Sequence, residues 1–197
     1  MTVARGATPE ASDDRLPVAS RHERRVSVVV RPAGPADAAW LAALAERTFR
    51  ETYSAENTPE NMERYVLEHF GPARQETELR DPRMSTLVAE VDGRTAGYAQ
   101  LAWSEPPAPV TGPAPLEVVR FYVDQPWHGQ GVAQTLMAAA VETARSEGAR
   151  TLWLGVWERN ERAIAFYRKS GFADVGTQTF VLGTDQQRDL VLARPLD

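Results

Sequence analysis

Cysteine is absent from this 197-residue chain. That removes disulfide staples, thiolate metal sites and a cysteine nucleophile together, and leaves the redox compartment open. Histidine is scarce. His22, His69 and His128 stand far apart with no ligand spacing, so no zinc site is expected. No run of about 18 apolar residues occurs, so no membrane-spanning helix is expected. The N-terminus lacks the apolar region of a secretion signal, so a cytoplasmic location is expected. Basic residues are outnumbered, 22 against 27 acidic, for a net charge of −5. This argues against nucleic-acid binding and suits a cationic substrate. What remains, 43% hydrophobic and 25% charged residues, is an ordinary soluble domain, large enough to bury about 70% of its unfolded surface.

Residues 1–25 hold Gly6, Pro9, Pro17 and many charges but almost no large apolar side chains. They read as a disordered tail before one domain over 26–197. Within that domain, Val26–Val30 reads as a strand. Two helices follow, one opened by Pro35-Ala36-Asp37 and carrying Trp40, Leu41, Leu44 and Phe49, the other capped at Thr58-Pro59. A short helical segment is expected around Arg74–Leu79. Ser85–Val91 and Arg94–Trp103 flank Asp92-Gly93 as a hairpin. Five prolines between Ser104 and Pro115 forbid regular structure there. Leu116–Val123 reads as a strand, Gly131–Glu147 as an amphipathic helix, Thr151–Val156 as a buried strand and Asn160–Ser170 as a helix. Two strands close the chain, Phe172–Leu182 with a kink at Gly176 and Arg188–Arg194. The fold class is mixed α/β, with residues 116–156 as a strand-helix-strand crossover.

The chemistry concentrates between strand 116–123 and the following helix. In Val123-Asp124-Gln125-Pro126-Trp127-His128-Gly129-Gln130-Gly131-Val132-Ala133, small residues at 129, 131 and 133 let the backbone approach a ligand. The free N–H groups of the first helical turn point into the same space, which makes an anion site suited to phosphates. Neither a Gly-x-Gly-x-x-Gly nor a Gly-Lys-Ser/Thr pattern is present, so a dinucleotide fold or a P-loop is not implied.

This loop resembles the GNAT acetyltransferase motif Arg/Gln-x-x-Gly-x-Gly/Ala, with His128, Gly131 and Ala133 at its fixed positions; His128 departs from Arg or Gln. Downstream, Asn160-x-x-Ala163-x-x-Phe166-Tyr167-x-x-x-Gly171-Phe172 resembles the second half of the same core. Gly155-Val156-Trp157-Glu158, Phe180–Asp185, Gln187-Arg188-Asp189-Leu190 and Thr48–Tyr53 with Asn57-Thr58 are similar to the PaiA-type polyamine acetyltransferases. The resemblance implies a mostly antiparallel sheet around a β-α-β core that binds acetyl-CoA between splayed central strands. It implies direct attack of an amine on the thioester.

The roles it implies fall on named residues. The loop His128, Gly129, Gln130, Gly131, Val132, Ala133 would grip the cofactor. Backbone groups near Phe121 and Val123 would meet the pantetheine, and Asn160 would contact the cofactor arm while also serving as a helix N-cap. Tyr167 would be the general acid, since a phenol of pKa about 10 stays protonated at neutral pH; core packing is its alternative use. Glu117, four residues before Phe121, would be the base, its alternative being a buried ion pair with Arg120 or another Arg. Strict alternation puts Glu117, Val119, Phe121 and Val123 on one face. The acceptor end is expected from the first two helices and the 104–115 loop, with Tyr53, Glu56, Glu60 and Glu63 as candidates. The acceptor is a small-molecule amine, a polyamine on the closer resemblance. Other acceptors (a protein N-terminus, an amino acid, an aminoglycoside) and a silent acetyl-CoA-binding module stay open. The sequence does not choose between monomer and homodimer.

Overall fold

The computed structural model describes residues 27–196. The expected tail, 1–25, and Val26 lie outside them. Seven strands form one sheet in the order β1-β2-β3-β4-β5-β7-β6. The strands are β1 (Val28–Pro32), β2 (Met84–Val91), β3 (Arg94–Ala102), β4 (Pro115–Val123), β5 (Thr151–Trp157), β6 (Ala173–Leu182) and β7 (Asp185–Pro195). The helices are α1 (Ala38–Tyr53), α2 (Pro59–His69), α3 (Pro72–Arg80), α4 (Val132–Ser146) and α5 (Glu161–Lys169).

Local chemistry accounts for most of these boundaries. The Thr58 side chain accepts from the Asn61 amide at the start of α2, and Pro59 fills the first turn. Asp92 and Gly93 take positive φ values of 51° and 73°, the conformation a two-residue hairpin requires. Pro32 is tolerated because β1 is, among the described residues, an edge strand paired with β2 alone. The last two strands form a tight hairpin that turns at Gly183, so β7 begins at Asp185 rather than at Arg188. The kink expected at Gly176 is a bulge between Asp174 and Gly176.

One face of the sheet packs against α4 and α5 through Leu116, Val118, Leu136, Leu154, Ile164 and Tyr167. The other face packs against α1 and α2 through Leu41, Phe49, Met62, Val66 and Tyr98. All neighbouring strands run antiparallel except β4 and β5. That parallel pair holds only from Pro115 to Glu117, against Thr151 to Trp153. Beyond it the two strands diverge, and their backbone edges face a cleft. A second irregularity sits in β4. Gln100 pairs with Arg120 but Leu101 pairs with Val118, so Val119 is an extra residue.

Candidate active site

The cleft between β4 and β5 opens into a cavity of about 930 Å³ that runs from the 128–134 loop to the rings of α1 and α2. At the loop end, Gly129 and Gly131 have φ of 76° and 85°, which a side chain would strain. A Cβ on either would meet nothing within 4 Å, so the backbone there borders open space. The first α4 bond runs from the Thr135 amide to the Gly131 carbonyl. The amides of Val132, Ala133 and Gln134 therefore have no acceptor inside the helix and are free for an anion. Gly129, Gly131, Val132 and Ala133 line the cavity.

His128 is engaged otherwise than by a ligand. Its Nε2 lies 2.8 Å from the Val123 carbonyl and its Nδ1 lies 2.8 Å from an Arg162 nitrogen. Since guanidinium only donates, Nδ1 accepts and Nε2–H donates. His128 thus ties the loop to the end of β4 and holds Arg162 at the cavity rim. It also occupies the Val123 carbonyl, one of the backbone groups expected to meet pantetheine. Asn160 caps α5, its side-chain oxygen accepting from the Ala163 amide at 3.2 Å, and it lines the cavity as well. Gln130 turns its amide to the Pro126 carbonyl at 2.7 Å and is not part of the lining.

Tyr167 is buried at the junction of the cavity and the α5 core. Phe121, Phe166 and Phe172 pack edge-on or tilted around it with ring centroids 5.5–6.2 Å away. Burial, and then the nearby Tyr53 phenol, push its pKa well above the ordinary tyrosine value, so it is protonated at any physiological pH.

The bulge at Val119 corrects the expected alternation. Phe121 and Val123 share the α4 side with Leu116 and Val118, so Glu117 does not share a face with Phe121. Glu117 instead lines the cavity and accepts a 2.6 Å hydrogen bond from Ser104. Among the described residues it has no cationic partner, because Arg120 bonds Glu78 and Gln100, each at 2.5 Å. Burial raises its pKa above the usual carboxylate range, and the Ser104 bond opposes this. A strand reading cannot anticipate a one-residue bulge, since the extra residue leaves no mark on residue type.

The acceptor end differs more from expectation. No residue of the 104–115 loop lines the cavity. That loop packs on the sheet through Val110, against Trp153 and Val191, and reaches the site only through Ser104. Tyr53 and Glu56 line the cavity, but Glu56 is ion-paired with Arg159 at 2.7 Å. Glu63 pairs with Arg50 over a different depression, and Glu60 lines neither. The three glutamates are therefore not gathered at one mouth. In their place the cavity presents rings from Phe49, Tyr53, Tyr65, Trp157 and Phe180, with Asp189 among them.

The model of the acetyltransferase (GNAT) family matches residues 42–172. An N-acetyltransferase of uncharacterized specificity from Mycobacterium tuberculosis is 38% identical over 160 residues, 81% of this chain and 98% of the relative. The chain belongs to the GNAT acetyltransferase family. Streptothricin acetyltransferase from Streptomyces lavendulae is 37% identical over 103 residues, half of each chain. The crystal structure of the PaiA N-acetyltransferase from Thermoplasma acidophilum with coenzyme A superposes with a TM-score of 0.70 at 18% identity, covering 86% of this chain and 99% of that one. The GNAT fold and acetyl-CoA-dependent N-acetyl transfer are thus established for this chain. The glycine loop, with its free amides and open approach, fits the cofactor's phosphates. Among the described residues no helix is long and apolar enough to cross a membrane.

Proposed function

We propose that this acetyltransferase moves the acetyl group of acetyl-CoA onto a primary amine of a small polycation, a polyamine such as spermidine or spermine. The observation that carries this reading is the continuity of one cavity. It joins the phosphate-type loop, the divergent edges of β4 and β5, Tyr167, and an aromatic recess that holds a carboxylate. A cationic amine is favoured by such a recess through its rings and its negative charge.

Acetyl-CoA supplies an activated acyl group as a thioester. The amides of Val132, Ala133 and Gln134 would take the phosphates, with Arg162 beside them. The unpaired edge of β4 near Phe121 would donate an N–H to the thioester carbonyl and stabilise the oxyanion that forms there. The acceptor arrives as an ammonium and loses one proton through Glu117, by water to solvent. Burial brings Glu117 closer in pKa to the amine than an exposed glutamate is. The new C–N bond forms as the C–S bond breaks. Tyr167 gives its proton to the leaving thiolate and regains one from the nitrogen, which returns to neutral amide. The net products are the acetylated amine, free thiol and one proton.

A second acceptor reading rests on the partial likeness to streptothricin acetyltransferase. The test is thiol release from acetyl-CoA across spermidine, spermine, lysine, a peptide, an aminoglycoside and streptothricin. A polyamine should give the highest kcat/KM. Preference for streptothricin or a peptide would overturn the polyamine reading, and no release with any amine would remove the activity itself.

A further inference from the structure

Asp189 is a buried carboxylate that the reaction above does not use. It is 7% exposed, and among the described residues its Oδ1 has no hydrogen-bond partner. It stands mid-strand in β7, directly across from Trp157 on β5 and from Gln178 on β6. All three side chains line the cavity. Gln178 donates to the carboxylate. Gly155 makes room for that pair, because an added Cβ would collide with Gln178 and sit 3.1 Å from Asp189 Oδ2.

A buried carboxylate is ordinarily matched by a cation or by several donors. The cations near this mouth are committed elsewhere. Arg159 pairs with Glu56, Arg188 with Glu158, and Arg120 with Glu78. Asp189 is left with one donor and a buried, unpartnered oxygen, on a side chain that lines the cavity. Around it stand Trp157 and Tyr53, whose ring centroids are 5.6 Å apart, surfaces that attract an ammonium. The uncompensated charge appears also in the carboxyl's pKa, pushed up to about 6, first by burial and then by the neighbouring Glu158 against the bond from Gln178.

The position relative to Tyr167 decides which ammonium would bind. Tyr53 is within electrostatic reach of both Tyr167 and Asp189. Both Tyr167 and Asp189 line the same cavity as Tyr53. We propose that Asp189 binds a second, non-reacting ammonium of the acceptor, so that a diamine spans from the carboxylate past Tyr53 to the thioester. This rests on the amine-acetyltransferase reading above and deepens it. It makes Asp189 the residue that selects a diamine over a monoamine.

The probes are 1,4-diaminobutane and n-butylamine, which differ by one ammonium. Each is assayed by thiol release with wild-type protein, Asp189→Asn and Asp189→Glu. Asparagine keeps the shape and a bond to Gln178 and removes the charge. The expected result is a kcat/KM for the diamine at least about tenfold lower in Asp189→Asn, entering mostly through KM. The monoamine should stay within about twofold, as should the KM for acetyl-CoA, and Asp189→Glu should recover part of the loss. Equal losses for both amines would assign Asp189 to proton transfer or to the fold and overturn the proposal. So would unchanged kinetics, or a wild-type enzyme that turns over other amines but does not prefer the diamine. A wild-type enzyme that acetylates no amine at all would instead defeat the activity on which the proposal rests.

Discussion

Neutralising Asp189 should stabilise the free protein, and by an amount that depends on pH. The carboxyl's pKa is 3.8 when unperturbed and about 6 in the fold. Between these values the folded state holds a proton that the unfolded chain has released. Stability from this group is therefore complete below about pH 4 and is lost as pH rises through about 6. A shift of this size corresponds to about 2–3 kcal/mol at about 1.4 kcal/mol per unit. Asp189→Asn lacks the ionisation and escapes the loss. Wild type and variant should differ by a constant at pH 4, and the gap should widen in favour of the variant up to pH 7. At about 2–4 °C per kcal/mol for a domain of this size, the melting temperatures should separate by a further 5–10 °C or so. Urea titrations at pH 4, 5, 6 and 7 measure it, and taking the difference between the two proteins cancels other titrating groups such as Glu117. A gap that does not change between pH 4 and 7 would mean that the carboxylate is solvated or paired. A gap that shrinks would mean that it has a cation partner in solution, and Asp189 would not be free to bind an ammonium of the acceptor.

Four further outcomes are expected. Gly131→Asp puts a charge at the phosphate loop and a side chain at φ 85°; calorimetry should show acetyl-CoA binding weakened more than about tenfold, or about 1.4 kcal/mol, with circular dichroism unchanged. Tyr167→Phe should lower kcat by about 10²- to 10⁴-fold with acetyl-CoA binding intact, and a variant with wild-type rates would return Tyr167 to a packing role. Glu117→Gln should cost more rate at neutral pH than at high pH, where the amine is already neutral; a loss independent of pH would argue against proton transfer there. Glu78→Gln leaves the Arg120 guanidinium, 10% exposed, without its counter-charge and should lower unfolding free energy by about 3–5 kcal/mol; an unshifted urea midpoint would contradict the buried pair.

Much of this protein was legible in residue order. Local rules act within a few residues, so the proline at the second helix start, the Asp92-Gly93 turn and the Gly129–Ala133 loop could be read directly and stand where expected. The motif spacing marked the half proposed to hold the cofactor, because that half is built from one continuous strand-loop-helix segment. The recess proposed for the acceptor is assembled from α1, α2, β5, β6 and β7, and its character depends on which side chains meet across strands. Three features there were decided by tertiary structure alone. The extra residue at Val119 puts Phe121 and Val123 on the face opposite Glu117, and nothing in its identity announces it. The glutamates Glu56 and Glu63 are drawn off into ion pairs by Arg159 and Arg50, partners distant or unmarked in the sequence. Asp189 is an ordinary residue in a hairpin strand until β5 and β6 close on both sides of it. Among the described residues its charge then has no cationic partner, because burial and pairing are properties of the assembled sheet and not of any segment within it.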